Sequence, residues 1–179
     1  MKQIHIPDRE LWDEKNSRFI NVKGQTITLE HSLVSISKWE SKWHIPFFSR
    51  EEKTNEMLID YIRAMTITQN VNPDIYNYLT QENCNEINEY INDPYTATTF
   101  HNDNQSPSRE ILTSEVIYYW MIYWGIPFEC QRWHINRLIT LIRVCNLKNQ
   151  PQKKMSRSEI FNQNRLLNEA RRKKYNTRG

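Results

Sequence analysis

Two side chains with metal-binding or nucleophilic chemistry lie one helical turn apart. Cys130 and His134 are four residues apart, a spacing that places both on one face of a helix. A thiolate and an imidazole are zinc ligands, and the same pair could act as a nucleophile and its base. A metal site needs more ligands, which would have to come from His44 or His101. The sequence offers no orienting third group, so we predict no metal, no cofactor and a hydrogen-bonded packing role for His134.

Three carboxylates flank the most apolar part of the chain and invite an acid–base interpretation. They are Glu110, Glu115 and Glu129. Each stands near the start of a predicted helix, where a negative charge offsets the helix dipole. The sequence also has no glycine-rich phosphate-binding motif. We therefore predict that the protein is not an enzyme.

Basic side chains are concentrated at the C-terminal end. From Lys148 to Gly179 the sequence has ten Lys or Arg against Glu159 and Glu169, a local charge of +8, whereas the whole chain has a net charge of +3. Residues 1–147 therefore carry −5. A mildly acidic body with a basic extension favours attachment to an acidic surface. The candidate contact residues are Lys153, Lys154, Arg157, Arg165, Arg171, Arg172, Lys173 and Lys174.

The basic extension has two interpretations. Its cations could neutralise phosphates in a salt-sensitive complex with nucleic acid. The extension has only Phe161 and Tyr175 as aromatic residues for base stacking. This favours a solvated basic helix, or docking on an acidic protein partner, over sequence reading of DNA or RNA.

Two tryptophans form a second candidate contact surface. Trp39 and Trp43 are one helical turn apart, and at this spacing they most simply pack in a core. Lys38 and Lys42 beside them leave room for an exposed aromatic contact surface. Both interpretations stay open at this point.

Short β-branched segments in the first thirty residues predict the strands that begin the fold. These are residues 3–6, 18–22 and 25–29. Lys23-Gly24 between the last two segments suits the turn of a hairpin. We expect a small antiparallel sheet that packs on helices, because a few short strands are marginal alone.

From Ser32 onward apolar residues recur at three- and four-residue steps and predict helices. Thr54 and Thr80 are expected as helix N-caps, and Pro73 as the first residue of a short helix. Two strongly apolar helices, over about 113–124 and 129–147, are expected to pair as a hairpin at the centre of the core. Ser156 and Glu159 have the spacing of a capping box and predict a peripheral helix over about 157–174.

These elements define the predicted fold class and domains. The chain should be α+β and predominantly α-helical, with one globular domain over 1–150, β in 1–30 and helical in 31–150. The basic helical extension covers 151–179. The polar stretch 101–109, which Pro107 interrupts, is expected to form a mobile loop.

Compartment and membrane association follow from composition. Cys84, Cys130 and Cys145 are widely spaced, which indicates buried reduced thiols and no disulfide framework. The most apolar run, residues 116–124, is far shorter than the ~20 residues of a membrane span. The first residues lack the apolar stretch of a secretory signal. We expect a cytoplasmic protein without membrane contact.

Four segments resemble a family of small proteins from the structural modules of long-tailed bacteriophages. They are Leu29-Glu-His-Ser-Leu-Val-Ser-Ile-Ser-Lys-Trp-Glu-Ser-Lys-Trp, Asp60-Tyr-Ile-Arg-Ala-Met-Thr, Thr113-Ser-Glu-Val-Ile-Tyr-Tyr-Trp-Met-Ile and Trp133-His-Ile-Asn-Arg-Leu-Ile-Thr-Leu-Ile-Arg-Val-Cys-Asn. The resemblance covers nearly the whole length, including the closing Asn-x-x-x-Arg-Arg-Lys-Lys. Members of this family are commonly labelled hypothetical, and sometimes tail assembly chaperone.

The resemblance implies a role in virion assembly in the host cytoplasm. Tail assembly chaperones bind the helical tape measure protein, prevent its aggregation and help tail tube subunits polymerise around it. The implied partners are the tape measure protein and the tail tube protein, with a homo-oligomer also open. The alternatives are a virion structural or adaptor protein and a basic-tailed nucleic-acid-binding protein. The family supplies no motif that assigns binding residues.

We expect removal of residues 152–179 to leave folding nearly intact, because that segment has few apolar residues to contribute to a core. Thermal unfolding of the shortened chain, followed by circular dichroism, checks this. A melting temperature that falls by more than a few degrees would show that the extension belongs to the core.

Overall fold

The structure is a computed structural model that describes residues 1–13, 18–100, 111–149 and 157–176. It confirms the predicted α+β, predominantly helical fold. The strands are β1 (Lys2–Ile6), β2 (Arg9–Asp13), β3 (Arg18–Val22) and β4 (Gln25–Leu29). The α-helices are α1 (Leu33–Trp43), α2 (Asn55–Met65), α3 (Gln81–Asn92), α4 (Ser114–Tyr123), α5 (Ile135–Asn149) and α6 (Arg157–Tyr175), and Pro73–Tyr78 and Phe128–Arg132 form 3₁₀ helices.

The chain divides into two compact units, Met1–Cys145 and Asn146–Gly179. The first contains the strands and the helices up to most of α5, and the second contains α6. The predicted mobile loop at 101–109 and the predicted cap Ser156 lie outside the described residues.

The strands pair in a nested order. β1 is antiparallel to β4, and β2 is antiparallel to β3. The two pairs continue the same register. Ile6 is opposite Gln25, and three residues further along on each side Arg9 is opposite Val22. The predicted hairpin between β3 and β4 is therefore wrong, because these strands follow one another along the same side of a long ribbon. Local composition identifies a strand, whereas its partner is set by contacts far away in the sequence.

Gly24 allows the two sides of the ribbon to approach closely where the pairing is interrupted. A Cβ atom on Gly24 would lie 2.5 Å from the Ile6 carbonyl oxygen and 2.6 Å from the Asp8 nitrogen. The Gly24 N–H donates a hydrogen bond to Asp8 Oδ1 at 2.6 Å. Pro7, between Ile6 and Asp8, has no N–H to donate to a neighbouring strand. The glycine thus serves a close backbone approach and not the tight turn that its sequence context predicts.

Helix caps are predicted correctly where they depend on local chemistry. The Thr54 hydroxyl accepts from the Met57 N–H, and the Thr80 hydroxyl accepts from the Asn83 N–H. The predicted start of the last apolar helix at 129 is wrong, because that stretch forms the 3₁₀ helix and α5 begins at Ile135.

The β1–β4 pair and α1 contribute many of the fully buried residues of the first unit's core. Alternate residues of the two strands are fully buried, as are the inward residues of α1; together they are Ile4, Ile6, Ile27, Leu29, Leu33, Ile36 and Trp39. Helix α1 packs on α2 and α4. The predicted pairing of the two apolar helices at the core centre is corrected accordingly: α4 packs mainly on α1, through Ile117 and Met121.

The end of β4 and the segment that links it to α1 also form backbone hydrogen bonds with the end of α2 and the chain that follows it. The Ile67 N–H donates to the Thr28 carbonyl at 3.0 Å, and the Glu30 N–H donates to the Met65 carbonyl at 2.8 Å. At the next residue, the Ile135 N–H donates to the His31 carbonyl at 2.9 Å. Residues 28–32 are thereby tied to the chain after α2 and to the start of α5.

We expect Gly24→Ala to destabilise the first unit, because its new methyl group meets backbone atoms that have no side-chain freedom to move aside. Overpacking of this kind costs about 1–3 kcal/mol. Urea unfolding measures the loss. Gly125→Asn is the matched control: Gly125 has a left-handed φ of 62° with nothing within 4 Å of a Cβ atom, and Asn tolerates that conformation. Equal losses in both variants would contradict a specific role for close approach at Gly24.

Candidate functional site

His31 is the centre of a buried polar cluster in the first unit. Its side chain lies among the rings of Tyr61, Tyr90 and His134, and the residue is 2% exposed. The His31 Nδ1 atom is 2.5 Å from the Tyr61 hydroxyl oxygen. The His31 backbone N–H donates to the Tyr90 hydroxyl oxygen at 3.2 Å. His31 therefore connects the start of α1 to both α2 and α3.

His134 completes the cluster from the residue before α5. Its ring packs edge to face on His31 with 4.9 Å between centroids. The His134 Nε2–H donates to the Tyr90 carbonyl oxygen at 2.9 Å. In the neutral ring this leaves Nδ1 as an acceptor, and no described residue donates to it. Tyr95, whose φ is 52°, stacks on the same ring at 4.6 Å.

Burial keeps this cluster uncharged. Removal from water, together with repulsion from His134, lowers the pKa of His31 to about 3. Burial also lowers the pKa of His134, and burial raises the pKa of Tyr61 above its ordinary value. At neutral pH both imidazoles are neutral and the phenols are protonated. The cluster is sealed from solvent, so its chemistry is that of a structural junction and not of an accessible nucleophile or base.

A buried carboxylate joins α1 to α4. Glu40 accepts from the Phe47 N–H through Oε1 at 2.7 Å and from the Ser114 N–H through Oε2 at 2.8 Å. Ser114 is the first residue of α4, so the carboxylate lies at the positive end of that helix dipole. Glu115, in the same first turn, has its pKa lowered by hydrogen bonds from its own backbone and from Thr113. Glu110 lies outside the described residues.

The Cys130–His134 pair could hold a metal only with further ligands, and His101, one of the two that the sequence offers, lies outside the described residues. Within the described residues no group of three or more His, Cys, Asp or Glu side chains could hold a metal ion. Cys130 is buried, and burial raises the pKa of its thiol. The thiol therefore stays protonated at neutral pH, which disfavours nucleophilic chemistry.

Trp39 and Trp43 do not form the exposed pair that a contact surface requires. Trp39 is 1% exposed, and its indole N–H donates to the Met57 carbonyl at 2.8 Å. It is a core residue, and its assignment to a partner-binding surface is corrected. Trp43 is half-buried, with the Lys42 ammonium 5.3 Å from its ring centre.

Helix α6 is exposed at every residue whose burial the structure describes. The predicted contact residues on it are exposed: Arg157, Arg165, Arg171, Arg172, Lys173 and Lys174. Lys153 and Lys154 lie outside the described residues. The helix also exposes apolar side chains, namely Ile160, Phe161, Leu166, Leu167 and Tyr175. A basic helix with exposed apolar residues is suited to binding a partner, because solvated surface helices rarely expose so many.

Helix α4 presents an exposed aromatic surface that the sequence interpretation missed. Tyr119, Ile122 and Tyr123 are 60–65% exposed, and Phe128 after the helix is 52% exposed. The Tyr119 and Tyr123 rings stack with 6.2 Å between centroids. We call these four residues the aromatic face. The sequence does carry a sign of this surface. Residues 116–124 are apolar or aromatic on every side of the helix, whereas burial of one stripe needs apolar residues on one side only.

The family resemblance stays a prediction after comparison with known proteins. No family model, curated protein or solved structure matches the chain. None of the helices that the structure describes is long and apolar enough to span a membrane.

We expect the protein to lose stability in acid because His31 is buried in its neutral form. Its folded-state pKa of about 3 lies below the ordinary value of 6.5, so the unfolded chain binds the proton first as the pH falls. The free energy of unfolding should fall by about 1.4 kcal/mol per pH unit from pH 6.5 toward pH 3 through this residue. Urea titrations between pH 4 and 8 measure the slope.

The matched variants for this titration are His31→Asn and His44→Asn. His44 is exposed and has a left-handed φ of 55°, which Asn tolerates. His31→Asn should flatten the slope, and His44→Asn should leave it unchanged. Retention of the full slope in His31→Asn would contradict the assignment.

Proposed function

We propose that the protein is a bacteriophage tail assembly chaperone that binds the tape measure protein in the host cytoplasm during tail morphogenesis. The observation that carries the proposal is the aromatic face on α4. The sequence resemblance provides the identity of the client. The proposal also rests on the non-enzymatic character predicted from the sequence.

The aromatic face suits a helical client. Tyr119 and Tyr123 stand one turn apart on α4 and Ile122 lies between them, so together they form a short ridge. Tyrosine supplies a large apolar area together with a hydroxyl group that works at a wet interface. Such residues dominate the binding energy of protein interfaces. An apolar face of this kind is a docking surface for an amphipathic helix, and a tape measure protein is long and helical.

Helix α6 supplies the second contact in this proposal. Its exposed cations would attract an acidic region of the client or of the tail tube protein, which raises the association rate and makes it salt-sensitive. Contacts of this type hold a client without chemical change, as a chaperone requires.

A second candidate function follows from α6 alone. The exposed arginines and lysines would also serve a virion adaptor or a nucleic-acid-binding protein. Stoichiometric presence of the protein in purified virions favours the adaptor. A DNA affinity that falls steeply with salt favours nucleic-acid binding.

We expect the tape measure protein of the same phage to co-purify with this protein after co-expression. Tyr119→Ser with Tyr123→Ser should weaken the interaction about tenfold or more, because exposed aromatic anchors carry most of such a binding energy. Phe19→Ser is the matched control, since Phe19 is equally exposed, at 64%, on β3. Isothermal titration calorimetry with a captured client fragment measures both effects.

Failure of the wild-type protein to retain the tape measure protein at low salt would contradict the proposed function. Equal affinity of the double variant and the control would contradict the aromatic face as its site.

A further inference from the structure

Two surfaces of this chain are apolar and exposed. On the first unit the aromatic face comprises Tyr119, Ile122, Tyr123 and Phe128. On α6 the apolar residues form two adjacent pairs, Ile160 with Phe161 and Leu166 with Leu167, each residue 45–69% exposed. The two pairs lie less than two helical turns apart, or about 10 Å. This apolar part of α6 is therefore shorter than α4, which is ~15 Å long.

The charges around these two surfaces are opposite in sign. Glu115 stands one turn before Tyr119 on the same side of α4, and Glu129 directly follows Phe128. From Ser114 to Gln131 the chain has no Lys or Arg. Helix α6 has six Lys or Arg and two Glu, with Arg157 before its apolar pairs and Arg171 to Lys174 after them. An apolar surface bordered by carboxylates thus complements an apolar helix bordered by cations.

We propose that α6 of one copy docks on the aromatic face of a second copy. The opposite charges that border these two exposed surfaces favour their pairing, and a second copy of the chain is the occupant that supplies the matching helix. Ile160 and Leu167, which are seven residues apart on one side of α6, cover the tyrosines, with Phe161 and Leu166 to either side of them. The terminal cations face Glu115 and Glu129. The binding mode is an amphipathic helix laid on an apolar face.

This contact is head to tail, because the two surfaces that meet are different. Such an interface leaves a free face on one copy and a free α6 on the other, so further copies add until a ring closes. The proposal extends the proposed function, since α6 would protect the face until a client displaces it. The observations that support self-association do not involve a client protein, and the experiments that test it use this chain alone.

Sedimentation velocity of the full chain over a range of concentrations tests the proposal. We expect reversible association at low salt that weakens as salt is added. Chains that lack residues 152–179, and the Tyr119→Ser, Tyr123→Ser variant, should be monomeric at the same concentrations. Circular dichroism on each variant confirms that the first unit is folded.

Charge reversal identifies the pairing of surfaces. Glu115→Arg with Glu129→Arg, and separately Arg171→Glu with Arg172→Glu, should each weaken self-association at least about tenfold. An equimolar mixture of these two variants should associate again, because the reversed face of one then meets the reversed helix of the other. Glu51→Arg with Glu52→Arg, an exposed pair elsewhere, is the matched control and should associate like the wild type.

Three results would overturn the proposal. The first is a wild-type chain that stays monomeric at every concentration. The second is association that persists without residues 152–179 or without the two tyrosines. The third is a mixture of charge-reversed variants that fails to associate. Loss of self-association with intact client binding would leave the proposed function standing.

Discussion

His31 is the residue on which the arrangement of the first unit depends, because its polar groups meet three other elements. Its N–H donates to Tyr90 of α3, its carbonyl accepts from Ile135 of α5, and its ring meets Tyr61 of α2. The residue itself lies between β4 and α1. In a buried site each unmet polar group costs about 1–3 kcal/mol. The elements are therefore fixed against one another by a requirement that apolar packing alone would not impose.

The features predicted correctly from the sequence are those set by neighbouring residues. Thr54 and Thr80 cap their helices because the cap is made within three residues. The pairing of β4 with β1, and the role of Gly24, depend on residues near the N-terminus that no local pattern identifies. For the same reason the sequence places His134 in a helix-like spacing with Cys130 but gives no sign of its contact with His31.

The candidate contact surfaces differ in how far they could be predicted. The basic character of α6 could be predicted, because the net charge of a segment follows from its composition alone. The sequence does not show that Trp39 is buried and Tyr119 exposed, since both stand on helices and only packing decides which side of a helix faces inward. Helix α1 packs on both α2 and α4, and Trp39 is buried against Met57 and Tyr61 of α2. Helix α4 packs on one side only, so its tyrosines remain outside.

The hydrogen bond from Ile135 to the His31 carbonyl has a consequence for protein synthesis. Ile135 leaves the ribosome about one hundred residues after His31, a delay of roughly 5–20 s at common translation rates. During that interval the ribbon and α1 have emerged while the partner of the His31 carbonyl does not yet exist. A nascent chain shorter than about 140 residues should therefore remain sensitive to proteases and open to other chaperones. Folding of the first unit then completes in a single late step, after its last helix has been translated.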